Sequence, residues 1–167
     1  RVGKDRAIGY QPRRGGGWSM EMPFEDAYGN GGLLTTVEDL LTFTQNLETG
    51  ELWGPRYLEE MHRRGVLTTG NTIHYASGLR LTSYKGLRQV EHSGSTAGYR
   101  GHLTRFPDYG LALAVICNAS NGNAGARLHR VADLYLGEVV AGWEPALPEN
   151  RVELPENVLA RYAGNYM

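Results

Sequence analysis

The chain has 167 residues, 41% of them hydrophobic and 21% charged, enough for one globular domain with an interior of its own. Seventeen basic residues stand against eighteen acidic ones, a formal net charge of −1, so no general attraction to nucleic acid or to an anionic membrane surface is expected. The longest apolar run, Leu111 to Cys117, is strand-sized and well short of the ~20 apolar residues of a membrane-spanning helix. The lone Cys117 excludes an internal disulfide framework and any cage of cysteines around a metal.

Residues 1–32 hold many of the glycines, sustain no period of 2 or 3.6, and read mostly as loop. The opening Arg1-Val2-Gly3-Lys4 carries neither Met nor an apolar leader, which reads as a boundary with polypeptide upstream. Thr35 or Thr36 then supplies an N-cap, Glu38 and Asp39 suit the first turn, and Leu40, Leu41, Phe43, Thr44 and Leu47 give a helical stripe. Together they predict a helix over about 37–48, ended by Gly50. Pro55 opens a second, shorter helix to about Arg64, with Tyr57, Leu58 and Met61 as its apolar face and Gly65 beyond its end.

Four strands follow: Tyr75 to Tyr84, Leu87 to His92, Tyr99 to Phe106 and Leu111 to Asn118. Lys85-Gly86 is a tight hairpin link and Pro107-Asp108-Tyr109-Gly110 a strong turn, so the strands should form an antiparallel meander. The last strand is apolar on both faces, which predicts an inner strand rather than an edge. Ala126, Leu128, Val131, Ala132, Leu134 and Tyr135 describe a final helix to about Gly137 that can lie on the sheet. The fold class is therefore α+β, an antiparallel β-meander packed with helices. Residues 1–141 form the main domain, and 142–167 form a proline-rich linker and the start of an accessory β domain.

The segment richest in chemistry is Glu91-His92-Ser93-Gly94-Ser95-Thr96-Ala97-Gly98-Tyr99, read as a strand ending in a polar, glycine-rich exit. His92-Ser93-Gly94, followed by Gly98-Tyr99-Arg100-Gly101 and Phe106-Pro107-Asp108-Tyr109-Gly110-Leu111, resembles the third motif of the β-lactamase-like serine hydrolases, with His in place of the Lys of K-T-G. Ala7-Ile8-Gly9-Tyr10, Gly31-Gly32-Leu33-Leu34-Thr35-Thr36-Val37-Glu38-Asp39-Leu40 and Tyr75-Ala76-Ser77-Gly78-Leu79 match the same family in order, so the resemblance spans about residues 7–137.

The resemblance implies the C-terminal portion of a β-lactamase/transpeptidase-like fold and a parent that acts through an acyl-enzyme on β-lactams, D-amino-acid peptides or esters. It implies His92 and Ser95 as catalytic residues, the backbone N–H of Ser95 being an oxyanion donor, and Ser93 and Gly94 as substrate-binding residues in the same cleft. No cofactor or metal is implied, and the expected partner is a small-molecule or peptide substrate. Relatives of this kind are often exported, which favours a periplasmic or secreted location. The His for Lys makes esterase or peptidase activity a better expectation than efficient lactam hydrolysis.

The family's Ser-x-x-Lys nucleophile motif is absent: the only lysines are Lys4 and Lys85, and Thr82-Ser83-Tyr84-Lys85 falls on a strand and hairpin, where i and i+3 face apart. Tyr28-Gly29-Asn30 matches Tyr-x-Asn literally but lies downstream of the family's position for it. The nucleophile-bearing half of the domain is thus expected on polypeptide not in this sequence, the chain alone is expected to be inactive, and its uncovered edge is expected to self-associate. The competing expectation is a catalytically dead module that holds a peptide or partner in the same cleft. His62, His74 and His129 are expected on the surface, without a second ligand at metal spacing. His102 could face the site. Cys117 is expected buried and inert, and Asn118 to cap or turn the chain.

Overall fold

A computed structural model describes residues 5–23, 29, 31–145 and 155–159. Two three-residue strands, β1 (Tyr10–Pro12) and β2 (Trp18–Met20), pair antiparallel around a turn in which Gly16 and Gly17 take φ of 90° and 77°. Strands this short show no alternation, so a segment read as loop holds a hairpin. It is tied to the rest of the chain: Tyr10 N–H donates to Asn118 O (2.9 Å), Ser120 N–H donates to Tyr10 O (2.8 Å), and Tyr99 Oη donates to Ala7 O (2.6 Å). Gly9 and Gly98 permit this approach, since a Cβ on Gly98 would meet the backbone of Gly9 and Tyr10. Tyr28 and Asn30, which complete the Tyr-x-Asn triplet, lie outside the described residues.

Helix α1 (Val37–Thr49) begins where the sequence places it, with Thr36 Oγ1 accepting from Asp39 N–H at 3.1 Å. It ends at Gly50, in the left-handed region at φ 69°, whose N–H reaches Asn46 O at 2.9 Å. Helix α2 (Gly54–His62) takes Pro55 in its first turn, where the missing N–H costs nothing.

Strands β3 (Arg80–Tyr84), β4 (Leu87–Thr96), β5 (Tyr99–Phe106) and β6 (Leu111–Cys117) form the predicted antiparallel meander in sequence order. Lys85 and Gly86 link β3 to β4 with φ of 49° and 80°, the pair of positive values a tight hairpin turn requires. A 3-10 turn over Pro107–Tyr109 joins β5 to β6. Strand β3 is shorter than expected, since residues 75–79 loop back to a single bridge between Tyr75 and Arg80. Strand β4 is longer, so the His-Ser-Gly segment lies within the sheet and not in an exit from it. Helix α3 (Ala124–Val140) crosses the sheet, and residues Glu156–Leu159 make a single helical turn, α4. Most of the expected linker and accessory domain falls outside the described residues.

Among the described residues β6 ends the sheet, with β5 its one strand neighbour, so the expected inner position is not met within them. Its two apolar faces record cover from above and below, because α1 packs on one and α3 on the other. Cover of the faces carries no information about hydrogen-bonded neighbours in the plane. On the α3 side the core is Phe106, Ala132, Leu136 and Val140 with Tyr84, Leu87, Leu111 and Leu113. On the opposite side it is Leu47, Leu79 and Val90 with Leu58, Met61 and Leu81. Phe106 is fully buried, and its truncation to Ala should cost about 3–5 kcal/mol.

Candidate functional site

Strand alternation decides which site residues share a face. On β4, Gln89, Glu91, Ser93 and Ser95 turn toward α3, and on β5 so do Arg100, His102 and Thr104, their register partners (Ser95↔Arg100, Ser93↔His102, Glu91↔Thr104). His92 turns the other way, toward α1 and α2, beside Val90 and Leu103. The resemblance has His92 and Ser93 both lining one cleft, and consecutive residues of a strand can do so only across its edge. Their side chains lie on opposite faces of the sheet and meet at the strand edge between them.

That edge is open. β3 pairs with β4 only from Leu87 to Glu91, so among the described residues no strand covers β4 from His92 to Thr96 on that side. Ala97-Gly98 is a two-residue link that makes Thr96 and Tyr99 the first pair of the β4–β5 hairpin. Hydrogen-bonded and non-hydrogen-bonded pairs alternate from there, which turns the N–H groups of Ser93 and Ser95 away from β5 and toward the open edge. Gly94 lies between them with nothing within 4 Å of where a Cβ would be.

His92 is exposed, and its Nε2 lies 3.0 Å from Tyr75 Oη with the rings packed edge to face. Tyr75 comes from the loop before β3; it entered the sequence reading only as part of a family match, and no local signal marks it as the partner of His92. Ser93 and Ser95 open on an exposed depression of about 610 Å³, walled also by Arg100, His102, Asn121 and Asn123. Asn123 sits at φ 44° and caps α3 by accepting from Ala126 N–H at 3.3 Å.

Beneath the depression is a polar chain that the sequence did not announce. His102 is buried, and its Nε2 lies 2.7 Å from Glu91 Oε2. The contact is short, although the nitrogen is not well aligned for a hydrogen bond. His102 holds the Glu91 carboxyl below its usual range against the opposing effect of burial. Gly125 brings the first turn of α3 close, since a Cβ there would stand 3.0 Å from His102 Nδ1. Gln89 Nε2 donates to Thr104 Oγ1 at 2.8 Å and meets His129 Nε2 at 3.1 Å; His129 stacks on Tyr84 with centroids 4.2 Å apart.

His129 is therefore not the surface residue expected, and burial, then the neighbouring His102, pushes its pKa down. His62 is likewise half-buried and bonded to Arg105, whereas His74 is exposed and reaches only Leu81 O. The signal for Glu91 was available, because Glu91, Ser93 and Ser95 follow the period of two.

Other candidates are engaged elsewhere. Lys85, in the turn three residues after Thr82, has its Nζ 2.7 Å from Asp133 Oδ1, while Thr82 Oγ1 donates to Gln89 Oε1 at 3.3 Å. Cys117 is half-buried with Sγ 3.7 Å from Gly122 O, and Asn118 Nδ2 donates to Ile8 O at 2.9 Å, holding the N-terminal segment rather than capping a turn. Among the described residues no cluster of three His, Cys, Asp or Glu could hold a metal, and no helix is long and apolar enough to cross a membrane. A family model described as Beta-lactamase matches residues 2–138, most of the chain. No curated protein matches the sequence.

Proposed function

The chain belongs to the Beta-lactamase family, a serine hydrolase lineage, and on that premise we propose that it contributes the His-Ser-Gly strand and one oxyanion donor to a hydrolase whose nucleophile is carried by other polypeptide. The observation that carries this reading is the open edge of β4, where the N–H of Ser95, the clearance over Gly94 and the hydroxyl of Ser93 border one depression. A carbonyl laid along this edge would place its oxygen at the Ser95 N–H, with Ser93 orienting the acyl side of the substrate. His92, held by Tyr75, would stand at the other rim as a proton-transfer group.

The chemistry is acyl transfer: a serine oxygen attacks the amide or ester carbon, the leaving group departs with a proton, and water releases the acyl group. None of the serines here is followed three residues later by lysine, so the chain alone should be inert. The His at position 92, where the K-T-G pattern has a Lys, favours esters or peptides over β-lactams.

The test is a serine-directed fluorophosphonate probe together with a chromogenic lactam and a nitrophenyl ester. No labelling and no turnover are expected from this chain. The chain joined to its upstream polypeptide should label on a Ser-x-x-Lys serine, and Ser93→Ala there should raise KM more than it lowers kcat. Stoichiometric labelling of any serine in residues 1–167 would overturn the reading. An upstream polypeptide without that motif would replace it with the binding-module alternative.

A further inference from the structure

The hairpin of β1 and β2 carries its apolar side outward. Its register pairs Tyr10 with Met20 and Pro12 with Trp18, and side chains two apart along a strand share a face. These four apolar side chains therefore form one side of the ribbon, and Gln11 and Ser19 form the other. All four are exposed, Trp18 at 52% and Met20 at 63%, whereas Ser19 on the polar side is half-buried. An antiparallel ribbon with one solvated side ordinarily turns its polar residues to water.

The ribbon is held at its base and charged at its tip. Tyr10 bonds the backbone of Asn118 and Ser120, and Glu21 N–H donates to Gly9 O at 2.8 Å. At the other end Arg13 N–H donates to Gly17 O and Gly16 N–H to Arg13 O, each at 3.0 Å, which sets Arg13 and Arg14 beyond the apolar side chains. Both arginines are exposed, and none of the ion pairs among the described residues includes either. Gly15, Gly16 and Gly17 have nothing within 4 Å of where a Cβ would stand, so the tip projects into open space.

We propose that this hairpin docks on an anionic lipid surface, with Tyr10, Pro12, Trp18 and Met20 in the interfacial layer and the two guanidiniums among the headgroup phosphates. Scale selects this occupant. Strands of three residues are about 10 Å long, which matches the roughly 5–10 Å that interfacial segments enter a bilayer. The same four side chains fall far short of the roughly 800 Å² a side of a stable protein interface, which argues against a second copy or a folded partner. Trp and Tyr favour the boundary between membrane and water, and cations beside them complement anionic headgroups. The net charge of −1 gives the chain no overall attraction to such a surface, so the docking is local to the hairpin. It does not depend on the acyl-transfer reading.

The experiment is flotation of this chain with vesicles of phosphatidylcholine alone, and of phosphatidylcholine and phosphatidylglycerol in equal parts; self-associated protein without lipid does not float. The mixed vesicles should bind about thirtyfold more tightly, the effect of two arginines at an anionic surface. Arg13→Glu with Arg14→Glu should abolish that preference. Trp18→Ser with Met20→Ser should weaken binding to the mixed vesicles about tenfold or more, which adsorption by charge alone does not predict. All four substituted positions are exposed, so the core is untouched. No flotation, equal binding to the two vesicles, or undiminished binding in either double variant would overturn the proposal. So would soluble polyglutamate held as tightly as the mixed vesicles whatever stands at positions 18 and 20, since that would mark an acidic protein partner.

Discussion

His102 and Glu91 meet at 2.7 Å across two paired strands, immediately below Ser93 on the same face of the sheet. The side chains are 9% and 12% exposed, so this contact braces the strand that carries the candidate site from within the fold. Substituting Glu91→Gln keeps the shape and removes the charge, leaving His102 buried without its partner. A loss of about 1–3 kcal/mol is expected in urea unfolding at pH 7. An unchanged midpoint would show that the contact does not brace the sheet.

The same pair sets an acid limit. The Glu91 carboxyl titrates below its ordinary value near 4.5 in the folded chain, chiefly because of His102. Its contribution is complete above that ordinary value and is lost as pH falls through the lower folded one. The acid limb of the wild-type stability curve should therefore be steeper than that of Glu91→Gln below about pH 4.5, which denaturant titrations at a series of pH values would check.

His129 adds an earlier step with the same sign. Burial first, and His102 second, lower its pKa from the ordinary 6.5, so the unfolded chain binds the proton more readily. Stability should be complete above pH 6.5 and decline as pH falls through the folded value. His129→Phe can still stack on Tyr84 and cannot protonate, so its Tm should change less than that of wild type between pH 7.5 and 5.5. Parallel curves would refute the assignment.

Gly98 lets the N-terminal segment lie against the β4–β5 turn, where its N–H donates to Glu21 O at 3.1 Å. In Gly98→Ala the added carbon meets backbone, which cannot step aside as a side-chain tip can. The hairpin carrying Arg13 and Arg14 should then loosen, and tryptic cleavage there should accelerate several-fold while the sheet stays protected. Mass spectrometry of timed digests gives the answer; an unchanged rate would mean the segment holds without this contact.

Among the described residues no strand pairs with the outer side of β6, where Ile116 is 41% exposed, and unpaired apolar strands recruit others. The isolated chain should form dimers or larger species in light scattering, and Ile116→Lys should shift it toward monomer. A monodisperse monomer at high concentration for the unaltered chain would count against this.

The sequence determined the elements that rest on local chemistry. Thr36 and Gly50 fix the ends of α1, Lys85-Gly86 and Pro107 to Gly110 fix two of the sheet's turns, and the motif order from Ala7 to Asn118 carries the family. Only the tertiary structure decided that β6 ends the sheet among the described residues, that His92 and Ser93 face opposite ways, that His129 is held under Tyr84, and that Arg105 is buried against His62. Caps and turns are satisfied within a few residues of chain and so leave their signature in the sequence. Lateral neighbours and buried charges depend on what distant segments bring alongside, as when α1 and α2 close over Arg105, and the period of a strand is silent about that.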